Sequence, residues 1–181
     1  MPHNPETERY VQNWKKHTRT PKRDNVADTF EYSRCLIALY NRLFDDATAI
    51  LKRQPRKYRE GATLNVIDYL SVDALATAIE GTKETSEAVE RLKDFIRKGE
   101  YNFVLDKHNS PNPSEDAKLL ARMESKNKEV RIHGLLDLIY YVRNNITHGQ
   151  KDPTESQLPL LWSFIPILER VTWMTEEKLR A

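Results

Sequence analysis

The run Leu138-Ile139-Tyr140-Tyr141-Val142-Arg143-Asn144-Asn145-Ile146-Thr147-His148-Gly149 holds the residues best suited to chemistry. On a helix, Leu135, Leu138, Ile139, Val142 and Ile146 form an apolar stripe. Asp137, Tyr141, Asn144 and His148 follow one another on a different face, so Asn144 and His148 stand about one turn apart. Arg143 lies about 140° around the helix from His148, and its long side chain can swing toward a phosphate that His148 reaches. His148 falls in the last turn, where the negative end of the helix dipole favours an imidazolium. An arginine, an amide and a titratable imidazole at one helix end can handle a phosphodiester. Spacing alone is a weak signal, because an Arg-x4-His pair arises by chance about 0.4 times in a chain of this composition. A histidine near a helix end is also often a cap. The added signal is Asn144-Asn145, two poor helix formers in succession on a helix with a strong apolar face.

The stretch Tyr141 to Gly149 resembles the signature of the HEPN superfamily, whose motif is an arginine, a polar residue, three variable positions and a histidine. The apolar lead-in and trailing glycine match as well. The helical pattern over roughly 28–180 is similar to Apea-like and related HEPN branches. The resemblance implies a four-helix-bundle-like domain that forms a homodimer. It also implies a metal-independent endoribonuclease, used in phage defence or toxin–antitoxin control and needing no cofactor, with Arg143 and His148 of two protomers lining one cleft. That arrangement answers a chemical need. Cleaving RNA without a metal takes a base on the 2′-hydroxyl and an acid on the leaving 5′-oxygen, and one motif supplies one histidine. A two-fold dimer supplies two. In this reading His148 is the acid/base, Arg143 stabilises phosphate charge and Asn144 orients a phosphate oxygen or the partner histidine. In HEPN toxins controlled by a nucleotidyltransferase antitoxin, a tyrosine follows the histidine by two positions. Here that position is Gln150, so control by a bound antitoxin or defence partner protein is the form left open.

Asn145, Tyr141, Lys151 and Arg131 are further candidates for RNA contact, with Lys126 and Lys128 beside them; ordinary surface charge is the favoured reading of the cations. His133 is expected to make a local polar contact, and Asp45-Asp46 is not favoured as a source of catalytic carboxylate. Two other classes compete with the enzyme. One is a non-catalytic HEPN module binding RNA, a nucleotide or a partner protein. The other is a plain helical interaction domain, with Arg143 and His148 as surface groups and caps.

The elements that must position these residues are helices. The 181-residue chain has length for one domain with a real core. Only 5 residues are glycine, and 29 basic against 27 acidic residues leave a net charge of +2, which argues against a polyanion-coating protein. One cysteine, Cys35, excludes a disulfide scaffold and is expected to be a buried small residue rather than a nucleophile. Five scattered histidines, with no Cys-x-x-Cys and no glycine-rich phosphate loop, argue against zinc and P-loop chemistry. The polar start and the longest apolar stretch, near Leu158 to Leu168, suggest a cytoplasmic protein without a membrane span.

Residues 1–27 read as a basic arm with a short helix near 6–17, docked by Trp14 and followed by a linker holding Pro21. Contact of that arm with nucleic-acid phosphates is the less favoured reading. Residues 28–181 read as the HEPN-like domain. A long central helix is expected to start with Asp28 and Glu31 as a capping pair and to stop before Pro55. Further helices are expected over about 64–80, 85–98, from Ser114, over 129–148, and from Thr154 to about Lys178. Gly81, Gly99, and Gly149 with Pro153 are the stops, and Thr154 with Gln157 forms a capping box. A loop spans 100–114, and Pro166 is expected to kink the last helix. The fold class is all-α, an antiparallel helical bundle with extra helices. Trp162, Phe164 and Trp173 on the last helix are candidates for core or dimer interface.

Overall fold

The structure is a computed structural model, and it describes residues 5–18, 25–51, 58–148 and 154–181. The expected stops at Pro55, Gly149 and Pro153, and the linker at Pro21, lie outside these residues. Eight α-helices follow in order: α1 (Pro5–Thr18), α2 (Val26–Leu51), α3 (Tyr58–Leu70), α4 (Val72–Glu80), α5 (Lys83–Lys98), α6 (Pro113–Met123), α7 (Lys128–His148) and α8 (Leu158–Arg180). The described residues contain no strand; an isolated bridge joins Leu105 and Pro111. No single described helix is long and apolar enough to cross a membrane.

Helix α2 is central because its apolar stripe is wide. Leu36, Leu39, Leu43 and Ala47 are fully buried, and Tyr32, Ile37, Tyr40 and Phe44 are buried beside them. Each such large apolar side chain contributes about 1.5–3 kcal/mol on burial. The start of α2 differs from the expected Asp28–Glu31 pair. Asn25 is the cap: its Oδ1 accepts from the Asp28 N–H at 2.8 Å, and its Nδ2 donates to the Asp28 carboxylate at 2.7 Å. Asn25 does what a capping-box serine would do, three residues before an acid.

Helix α8 packs along α2 with Leu161, Phe164, Ile165, Leu168 and Val171 buried. The order of contacts sets the direction. Tyr32 donates to Glu169, while at the other end Arg180 pairs with Glu8, next to Thr7, which bonds Asp46. Numbers rise together along both helices, so α2 and α8 run the same way, departing from the expected antiparallel arrangement. The segment from α3 to α7 makes the long return that such a pair requires. Helix α8 runs through Pro166 without interruption. Gln157 accepts from the Thr154 N–H at 3.1 Å, as the expected capping box requires.

Helix α1 belongs to the same core rather than to a free arm. Val11 is fully buried, and Trp14 is 3% exposed, edge-on to Trp173 with ring centroids 4.7 Å apart. Phe164 is core, whereas Trp162 is exposed.

The helix expected over 64–80 is two helices. Ser71 has φ 73°, its side chain accepts from the Ala74 N–H, and the segments Ala62–Leu70 and Val72–Glu80 meet at 93°. A serine that caps a new helix outcompetes continuation of the old one. Gly99 ends α5 at φ 64°, in the left-handed conformation that glycine adopts freely. The next helix starts one residue earlier than expected, with Pro113 in its first turn and Asn112, not Ser114, as its cap.

Candidate nucleic-acid site at the end of helix α7

Helix α7 is held by packing along most of its length. Ile132, Leu135, Leu136, Leu138, Ile139, Val142 and Ile146 are all buried. Gly134 lets α6 approach closely, because a Cβ there would meet Arg122 Cβ and the Met123 backbone N at 3.0 Å. Arg122 pairs with buried Asp137 across the same contact. The helix is thereby fixed in rotation, and that decides where its last two turns point.

Arg143 is half-buried in those turns. Its Nη1 donates to Asn41 Oδ1 on α2 at 2.8 Å, and its guanidinium lies over the Tyr140 ring, 5.2 Å from the centroid. Asp45, one turn beyond Asn41 on α2, also senses it. Burial raises the Asp45 pKa, and Arg42 and Arg143 pull it down. Tyr40 is buried, and burial pushes its phenol well above the usual range despite the pull of Arg143. The arginine therefore stands where α2 and α7 meet, between an amide oxygen and an aromatic face, with a carboxylate nearby.

Asn144 and Tyr141 are half-buried on the same two turns. The Tyr141 ring packs against the core and stands edge-on to Tyr140 at 5.7 Å. Asn145 is exposed, and its Nδ2 donates to the Phe103 carbonyl at 3.2 Å. That tie joins the motif to the loop between α5 and α6. The loop is itself anchored: Asp116 is buried and accepts from the N–H groups of Val104 at 2.9 Å and Phe103 at 3.3 Å. Burial raises the Asp116 pKa, and the two backbone donors oppose it. The backbone of His148 closes α7, five residues and about 7.5 Å of helix rise beyond Arg143. Its side chain, with Gly149, Gln150 and Lys151, lies outside the described residues.

Arg131 stands elsewhere, twelve residues or about 18 Å of helix rise from Arg143. Its Nε donates to Glu80 at 2.6 Å, Nη2 to the same carboxylate at 3.0 Å, and Nη1 to the Ser125 carbonyl at 2.9 Å. It borders a half-open cleft of about 460 Å³ whose apolar lining includes Ile79, Val89, Met123 and Leu135. Lys128 pairs with Asp73 at 2.7 Å. Both cations serve the packing of α4 against α7 and take no place beside Arg143.

Cys35 is half-buried, its Sγ 3.6 Å from Glu31 Oε1. Burial and the Glu31 carboxylate push its thiol pKa up, the opposite of an activated nucleophile. No group of three or more His, Cys, Asp or Glu among the described residues could hold a metal ion.

Asn41 is the site residue that sequence reasoning missed. Its signal was a lone amide beside buried Tyr40 in the middle of a strongly apolar helix. Comparison with known proteins finds no matching family model, no matching curated protein and no matching solved structure.

Proposed function

We propose that this chain is a HEPN-type, metal-independent endoribonuclease acting as a homodimer in phage defence or toxin–antitoxin control. The observation that carries the reading is the placement of Arg143. It is half-buried at the meeting of α2 and α7, held by Asn41, with Asn144 beside it and His148 closing the same helix. The resemblance of Tyr141 to Gly149 to the HEPN signature adds to it.

The chemistry follows from the groups. One His148 takes the proton from a ribose 2′-hydroxyl, whose oxygen attacks the adjacent phosphorus. The bond from phosphorus to the 5′-oxygen breaks, and His148 of the partner subunit returns a proton to that oxygen. The products are a 2′,3′-cyclic phosphate and a 5′-hydroxyl end. Arg143 stabilises the charge that gathers on the phosphoryl oxygens, and Asn144 orients one of them. DNA resists because it has no 2′-hydroxyl.

The test is incubation of purified protein with single-stranded RNA in EDTA, beside His148→Ala and a matched DNA strand. Wild type is expected to leave cyclic-phosphate ends, and the variant to lose cleavage. Cleavage that persists in His148→Ala, or a wild-type protein that cuts no RNA, overturns the proposal.

A further inference from the structure

We propose that the cleft between α4, α5, α6 and α7 binds a small amphipathic anion, a compact apolar body carrying one carboxylate, phosphate or sulfonate group. Its volume of about 460 Å³ is in the size range of small-molecule sites. Ile79, Val89, Met123 and Leu135 supply its apolar wall. The cleft lies toward the start of α7, away from Arg143, so the proposal stands apart from the ribonuclease reading.

Lys93 carries the argument. It lines the cleft from α5 and is only 9% exposed. An ammonium group has three N–H donors. One goes to Glu90 Oε1 at 2.6 Å, and the others meet no acceptor among the described residues. Buried donors are costly without acceptors, and an anionic oxygen in the cleft would supply them. Lys126 adds a second cation at the mouth. It is exposed, lines the same cleft and makes no hydrogen bond or ion pair among the described residues. The carboxylates on the lining are already engaged: Glu80 by Arg131, Glu124 by Arg97 and Glu90 by Lys93. An entering anion therefore meets cations with donors to spare and carboxylates that are paired. A ligand without the anionic group would leave the Lys93 donors unmet, and one without the apolar body would leave the wall in water.

Anilinonaphthalene sulfonate, an apolar ring system with a single anionic group, is the probe, and its uncharged parent N-phenylnaphthylamine is the control. Fluorescence titration of the full chain is expected to show saturable binding of the sulfonate at one site per chain, with the uncharged parent about tenfold weaker or more. Lys93→Met keeps the apolar stem and removes the ammonium, and Lys126→Glu reverses the charge of an exposed side chain. Each is expected to weaken the sulfonate about tenfold and to leave the uncharged parent unchanged. Thermal melts by circular dichroism establish that each variant is folded, and Lys126→Glu keeps the test decisive where Lys93→Met does not fold. Absence of saturable binding, equal affinity for the charged and uncharged dyes, or sulfonate affinity unchanged in Lys126→Glu overturns the proposal.

Discussion

Asp116→Ala removes the anchor of the loop between α5 and α6. The Asp116 carboxylate takes the Val104 N–H at 2.9 Å and the Phe103 N–H at 3.3 Å. With alanine, both donors stay in a buried region without that acceptor, at about 1–3 kcal/mol each. The two together span about 2–6 kcal/mol, and the longer bond to Phe103 sets the expected total in the lower half of that range, about 3 kcal/mol. In a chain of this size each kcal/mol moves the melting temperature by about 2–4 °C, so a fall of about 6–12 °C is expected. Asp116→Asn keeps one acceptor oxygen, for the Val104 N–H, and turns its amide nitrogen toward the Phe103 N–H, so it is expected to lose about 1–2 kcal/mol, less than Asp116→Ala. The pH dependence has a definite sign. Burial raises the Asp116 pKa above its ordinary 3.8, so the folded state holds that proton more tightly than the unfolded chain does. The resulting stabilisation is fullest below the unfolded value and is lost as pH rises through the folded value. Wild type should therefore gain on Asp116→Asn as the pH falls through that window. Thermal melts followed by circular dichroism, with urea midpoints beside them, measure all three proteins. An Asp116→Ala protein that melts within about 2 °C of wild type would refute the anchoring role, and so would Asp116→Asn falling as far as Asp116→Ala.

Gly134→Leu is expected to destabilise by more than about 2 kcal/mol, since even a Cβ would stand 3.0 Å from the Met123 backbone N and from Arg122 Cβ; a wild-type urea midpoint would show that α6 can yield. Cys35 is expected to react with iodoacetamide more slowly than a free thiol at pH 7.5, and to speed up as pH rises past the ordinary thiol value. Mass spectrometry of the timed reaction checks this, and alkylation at the rate of free glutathione contradicts it.

Features set by neighbouring residues are legible in the sequence. Gly99 as a stop, α7 from its apolar stripe, and Gln157 accepting from the Thr154 N–H all depend on residues within a few positions of one another. The errors came where two local signals competed or where a distant partner decided. Ser71 could sit inside a helix or cap a new one, and only the turn between α3 and α4 selects the cap. Asp28 could begin α2 or serve as the acid of a cap begun at Asn25. The site shows the same division. Arg143 and Asn144 were visible as a motif, but Asn41 stands 102 residues away from Arg143. Asn145 read as a candidate RNA contact; its tie to Phe103, 42 residues back, gives it a folded-state partner that no helical periodicity reveals. Arg131 read as loose surface charge until α4 brought Glu80 beside it.

The shared direction of α2 and α8 has a consequence for how the chain is made. Tyr32 and Glu169 are 137 residues apart, and Tyr69 and Lys178 are 109 apart. On a ribosome, the face of α2 that packs against α8 must wait for α8 to be synthesised before it is covered. At about 5–20 residues per second, the wait is about 7–27 s. The intervening helices can settle early, because α5 with α6 and α6 with α7 are near neighbours in the chain. The face of α2 turned to α8 is therefore among the last to be covered, although α1 and α3 pack on α2 early. A stop codon before α8 is therefore expected to yield a product that aggregates rather than a smaller folded domain.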